Sequence, residues 1–307
     1  MAEHDFATTP LVTRRAQARL GIVLVAPLIL LVALFFLLPL GSSVYFSFVD
    51  FHGFEAEPPF VGLENFAELA ADPALLPAFR NNVIWIVVGT AAPLVIGLLV
   101  ALLLWNVRRG SAFYRVAFFL PYILPATAIG VVWSWIYDPL RGWLNEALKL
   151  FGLGSFATGW LGNPDTALGA VLVTAVWTAT GFVMVIFLAA LRNVDVELVE
   201  AATIDGANAW QRLRYVILPQ IMPVFLMVTT ITLIGGFSVF DIVFVMTGGG
   251  PAGATEVLGT YAYRSAFQLN RMSYGTALAL VIALLAVPFA VGLNRLQRRM
   301  SLYRTGA

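Results

Sequence analysis

The sequence predicts an all-α integral membrane protein that crosses the bilayer six times with both termini in the cytoplasm. Three observations lead there. Of 307 residues, 60% are hydrophobic and only 11% charged, against roughly a quarter charged in a soluble domain. Six stretches free of charged residues are each long enough for a membrane helix. Lysine and arginine also fall unevenly between alternate connecting segments.

The six runs are residues 20–49, 81–107, 116–137, 166–191, 215–240 and 272–294. About 20 apolar residues cover ~30 Å of hydrocarbon. Backbone polar groups must be satisfied internally in lipid, so each run is expected to be helical. The alternation of a membrane β-barrel is missing. The first run follows Arg14, Arg15 and Arg19 but is about twice as long as a signal-peptide core. It is also followed by no clear cleavage site, so it is expected to be a retained helix. Prolines fall in run 1 (Pro27, Pro39), run 3 (Pro121, Pro125), run 5 (Pro219, Pro223) and run 6 (Pro288). They suit bent helices around a moving pathway, and equally suit the ordinary tolerance of membrane helices for proline.

With the N-terminus inside, thirteen of the eighteen basic residues lie on inner segments. Arg80, Arg141, Lys149, Arg264 and Arg271 are the five outside. That bias sets the orientation. It divides the chain into a cytoplasmic tail 1–19, a permease domain 20–294 and a cytoplasmic tail 295–307. The outer segment 50–80 carries an amphipathic stretch at 63–69, and 138–165 carries a short helix at 143–151. The third outer segment, 241–271, carries Thr247-Gly248-Gly249-Gly250-Pro251. These loops are large for connections and suit either a landing surface for an external protein or a cap on the bundle.

The inner connection 192–214 is the long one on its side. Asp195 is placed to N-cap a helix over 196–204, with Glu197 in its first turn. Leu198, Ala201, Ala202 and Asp205 share one stripe of that helix. The alanines allow close approach, Glu200 offers an anion to an arginine, and Gly206 can adopt positive φ and turn the chain. A second helix over 207–216 follows, with Pro219 breaking the pattern as the fifth span begins. A lipid-lying amphipathic hairpin would want a basic face, but this segment has four acids against three arginines.

Several other chemistries are unsupported. No cysteine is present, so no disulfide or thiolate chemistry is available. Residues 248–255 imitate a phosphate loop but carry Ala254 where lysine is needed. Gly236-Phe237-Ser238 would suit an intramembrane serine hydrolase only with a base at that depth, and the two histidines, His4 and His52, lie outside the apolar runs. An ion-coupled secondary transporter would want acids in the spans and an internal repeat; the runs hold no acid and no repeat is visible. A net charge of +1 carries no nucleic-acid footprint, and no nucleic-acid or metal partner is expected. A sugar wants aromatic faces and neutral hydrogen-bonding groups. Trp133, Ser134, Trp177, Thr178, Thr180, Phe237, Ser238 and Asp241 offer that chemistry, although interface anchoring and own-helix hydrogen bonds account for the same residue types.

The string Glu200-Ala201-Ala202, then Gly206, then Val216-Ile217-Leu218-Pro219 resembles the pattern shared by permease subunits of ABC importers, with Val216 in place of the usual isoleucine. Glu200 to Trp210, Tyr137-Asp138-Pro139, Thr247 to Pro251 with Thr255-Glu256, and Ser273-Tyr274-Gly275 resemble the carbohydrate-uptake branch, of maltose and glycerol-phosphate type. The resemblance runs from Leu20 onward. It implies a type I importer permease fold in a bacterial or archaeal cytoplasmic membrane, with 192–219 as the loop that couples to an ATPase. Glu200, Ala201, Ala202, Asp205, Gly206, Leu218 and Pro219 would be its contact and turn residues. It implies four kinds of partner: a second permease, two copies of a cytoplasmic ATPase, an external solute-binding protein, and a carbohydrate or a glycerol-phosphate-like solute. It implies no catalytic residue and no cofactor on this chain, ATP and magnesium being bound by the ATPase.

Overall fold

A computed structural model describes residues 14–53, 55–107 and 109–305. The first span combines α1 (Arg14–Val32) and α2 (Leu38–Phe46), joined by a π-helical turn at Ala33–Leu37. A short α3 (Glu64–Ala71) precedes the second span, α4 (Leu75–Trp105). The third is divided between α5 (Ser111–Ile123) and α6 (Ala126–Ile136) and is followed by the short α7 (Trp143–Leu150). The fourth is α8 (Pro164–Leu191). Next come α9 (Val196–Ile204) and α10 (Ala209–Arg212), then α11 (Leu218–Phe237), the fifth span. Two short helices, α12 (Asp241–Thr247) and α13 (Leu258–Tyr263), precede the sixth span, α14 (Met272–Thr305). Five of these helices are long and apolar enough to cross a membrane, and six spans result when the bent α5–α6 pair counts as one.

The expected third span is corrected: it is not one helix but two, meeting at 99°. Leu124, extended at ψ 145°, makes the break ahead of Pro125. The proline ring disfavours helical geometry in the residue before it, and its missing N–H is harmless at the start of α6. Other boundaries shift outward from the uncharged runs. Arg80 lies on α4 rather than in the preceding loop, α1 already includes Arg14 to Arg19, and the basic segment 295–305 continues α14. Residues 1–13 and 306–307 of the two expected tails lie outside the described residues.

The helices at the centre are α4, α8 and α11, with α5 lying along α8 and α14 along α11. Two apolar clusters hold α4 against α8, and the first also takes in α11. One joins Leu94, Ala101 and Leu104 of α4 to Val183, Phe187 and Leu191 of α8 and to Ile221 and Val228 of α11. The other, around Trp85, Val171 and Val243, sits at the opposite end of α4 and α8. A third cluster packs Leu69 of α3 and Ala78 of α4 against Leu258, Tyr261, Tyr274 and Leu278 of α13 and α14. The second and third lie at the end where 50–80 and 248–257 connect the spans, and polar ties reinforce them. Asn81 Nδ2 donates to the carbonyls of Ala254 (3.0 Å) and Glu256 (2.9 Å), and the Leu258 N–H donates to Asn82 Oδ1 (3.3 Å). The phosphate-loop look-alike is therefore a structural strap, with Thr255 Oγ1 2.7 Å from both Thr247 Oγ1 and the Gly250 carbonyl.

Candidate functional site: an exposed elbow between the fourth and fifth spans

The elbow between α8 and α11 is assembled from local signals. Val194 is buried in the first apolar cluster, anchoring the chain as it leaves α8. Asp195 takes extended geometry and its carboxylate accepts the Glu197 N–H at 2.9 Å, capping α9 as its residue type predicts. The other end closes on Gly206 at φ +82°. There the Gly206 N–H donates to the Thr203 carbonyl (3.1 Å) and the Ala207 N–H to the Ala202 carbonyl (2.9 Å), the paired bonds of a Schellman ending. α10 then starts on a reciprocal cap: Asn208 Oδ1 accepts the Gln211 N–H at 2.9 Å, and Gln211 Oε1 accepts the Asn208 N–H at 2.8 Å. Arg212 Nη1 donates to Thr203 Oγ1 at 3.0 Å, tying α10 back to α9.

The helix over 196–204 is present with its expected bounds. The second helix differs. It starts at Ala209 instead of 207, and Pro219 does not break it: the chain stays helical from Ala209 to Phe237. A π-helical turn at Leu213–Ile217 makes this possible. There the Leu218 N–H reaches back five residues to the Leu213 carbonyl. The wider turn displaces the carbonyl that a proline ring would strike in an α-helical register. Pro219 follows just after that turn, so the N–H it lacks falls at the change of register.

Glu200, Ala201, Asp205, Gly206 and Pro219 are exposed, whereas Ala202 and Leu218 are half-buried. Asp205, Gly206 and Ala202 line a recess of about 370 Å³ with Gln211 and Tyr215. A second recess, of about 580 Å³, lies between the elbow and the end of α4, bounded by Trp105, Thr203, Trp210 and Arg212. Large apolar side chains stand out from the elbow into the surroundings, Ile204 at 86% exposure and Trp210 at 69%. A short, doubly capped element with carboxylates and bare apolar groups on its outer face has the chemistry of a protein-docking surface.

The eight residues singled out for a solute path do not form one constellation. Trp133 and Trp177 meet edge to face at 5.3 Å. Trp177 and Thr180 line a cavity of about 730 Å³ between α4, α5 and α8. Its other walls are mainly aliphatic, and the Thr180 hydroxyl is committed to the Val176 carbonyl at 2.7 Å. Phe237 and Ser238 line a different cavity of about 710 Å³, with Phe46, Phe240, Tyr263 and Thr276. Ser134, Thr178 and Ser238 donate to carbonyls of their own helices at Gly130 (2.8 Å), Thr174 (2.9 Å) and Ile234 (3.3 Å). Asp241 is exposed in the first turn of α12, where the helix dipole favours it. The cap formed by Asn208 and Gln211 and the Thr203–Arg212 tie were not anticipated. Only the first carried a sequence signal, Asn208-x-x-Gln211.

Comparison with known proteins places this architecture. Residues 93–302 match the family model for the binding-protein-dependent transport system inner membrane component. The chain is 33% identical over 275 residues to the probable ABC transporter permease protein YurN of Bacillus subtilis, covering 89% of this chain and 92% of that one. It is 30% identical over 275 residues to the trehalose/maltose transport system permease protein MalF of Thermococcus litoralis, covering 90% and 92%. Its fold resembles a chain of a bacterial ABC transporter involved in import of the acidic polysaccharide alginate, with TM-score 0.77, 22% identity and coverage of 92% and 96%. The chain therefore belongs to the binding-protein-dependent transport system inner membrane components, the multi-pass permeases of ABC importers.

Proposed function

We propose that this chain lines the translocation path for a carbohydrate in an ATP-driven importer, with α9 and α10 as the cytoplasmic contact for the ATPase. The observation that carries the reading is the elbow itself. It is exposed, rigidly capped and mounted directly on α8 and α11, with Glu200 outward and the Gly206 turn at its tip. Family membership supports dependence on an external binding protein. The trehalose/maltose permease relative supports a sugar as solute. The arginine bias supports both termini and the elbow facing the cytoplasm. In this reading two ATPase copies grip this elbow and its counterpart on a second permease. Glu200 meets a cationic group there, and ATP-driven closure tilts α8 and α11. The chain carries out no bond-breaking step of its own. Trp133 and Trp177 on one side, and Phe237 on the other, supply aromatic faces along the path, with the Thr180 and Ser238 hydroxyls, whose protons go to own-helix carbonyls, left as acceptors.

The test is transport by the complete assembly in vesicles. Glu200→Lys and Gly206→Pro are expected to leave membrane insertion intact while ATP hydrolysis no longer drives uptake. Normal uptake by both variants would remove the assigned role of the elbow.

A further inference from the structure

Gln220 bridges the two sides of the elbow. Its Oε1 accepts the backbone N–H of Asp195 at 2.9 Å, across 25 residues of sequence, and its Nε2 donates to the Val216 carbonyl at 3.1 Å. One partner is a donor and the other an acceptor, so the amide has only one orientation that serves both. The bridge therefore joins the point where the chain leaves α8 to the first turn of α11. That turn is the weak part of the fifth span. It follows the π-helical turn, and Pro219 and Pro223 both lack the N–H that would brace it.

The elbow is internally stiff through its caps and the Arg212–Thr203 bond. Its attachments to the bundle are Val194 beside α8 and Ile217 ahead of α11, both buried in the same cluster, with Val199 of α9 and Leu213 packed against it. Apolar contacts of that kind are non-directional and do not by themselves set an angle. A directional bond across the base of the elbow fixes the angle between α9 and α11.

We infer that Gln220 is a positioning residue that makes α11 follow the elbow, so that a force applied to α9 reaches the fifth span without being absorbed at the π-helical turn. This rests on the elbow being the ATPase contact. Removing the bridge leaves the docking surface unchanged and leaves the π-helical turn and the apolar packing to carry the elbow's motion into α11.

The chain has no cysteine, so Ile204→Cys and Ile231→Cys form a unique spin-label pair, introduced before assembly with the co-purified partners. Both sites are exposed, and because Ile204 stands on the docking face the labelled pair is read in assemblies that retain ATP-driven uptake. With the bridge present, ATP is expected to leave the 204–231 distance distribution narrow and unshifted. In Gln220→Met the distribution is expected to broaden and shift on ATP addition, and the Asp195 amide to exchange with deuterium roughly fivefold faster, as for one lost hydrogen bond. Gln220→Glu keeps an acceptor for the Asp195 N–H but loses the donor to Val216, and is expected to fall between wild type and the methionine variant in both readouts. It also tests the inference if the methionine variant fails to insert. An unchanged distance distribution in Gln220→Met, or a glutamate variant as loose as the methionine one, would overturn the bridge. If the 204 label is equally mobile with and without the ATPase, the docking assignment fails instead.

Discussion

Gly181 of α8 lies against Phe118 of α5 so closely that a Cβ on the glycine would stand 1.8 Å from the Phe118 carbonyl oxygen. The obstacle is backbone, which cannot rotate away as a side-chain tip does. Small residues at helix crossings let membrane helices approach in this way. Gly181→Ala is expected to force α5 away from α8 and to cost about 1–3 kcal/mol or more. A lowered melting midpoint of the purified chain in detergent checks it, and an unchanged midpoint contradicts the contact.

The α9 cap gives a smaller effect at an exposed place. Asp195→Ala removes the acceptor for the Glu197 N–H and is expected to cost about 1 kcal/mol of local stability. Asp195→Asn keeps an acceptor and should stay close to wild type. Deuterium exchange at residues 197–199 reads the difference.

Asp72 ties the segment before α4 to α13 and α14, its Oδ2 accepting the hydroxyls of both Tyr261 and Tyr274. Partial burial pushes its pKa upward, but the two tyrosine hydroxyls, the Ala74 N–H and nearby Arg271 together outweigh that and hold it below the ordinary 3.8. The unfolded chain therefore binds a proton more readily than the folded one. The resulting stabilisation is fully present above pH 3.8 and is lost as pH falls through the lower folded value. Melting midpoints are expected to drop in that acidic range, and Asp72→Asn should flatten that part of the profile.

Glu256 is almost wholly buried and meets Arg264 at 3.1 Å. Arg264→Ala leaves a carboxylate in the interior with no counter-charge, a loss on the order of 3 kcal/mol. Glu256→Gln in the same background is expected to recover part of it. Thermal denaturation of the single and double variants measures the coupling.

Much of this was legible in advance because lipid imposes simple rules. Uncharged length located all six spans, and Asp195 with Gly206 bounded α9 because capping depends on residue type a few positions apart. The break at Leu124–Pro125 was harder to read: proline appears in five of the six apolar runs, and its identity alone does not say where a kink becomes a corner. Pro219 erred the other way, since the π-helical turn that accommodates it has no residue signature. The solute path was the least legible part. Trp177 and Phe237 line separate cavities, and which walls face one another depends on contacts between spans far apart in sequence. The Asp72–Tyr261–Tyr274 cluster has sequence separations near 200 and left no local trace.

The leading helical segment, Gly21–Phe46, has a most apolar stretch in which no residue is buried, and α2 packs on α14. The apolar cluster that joins α4, α8 and α11 takes no residue from it. Beyond its contact with α14, its broad apolar face is left for lipid or for another chain to cover.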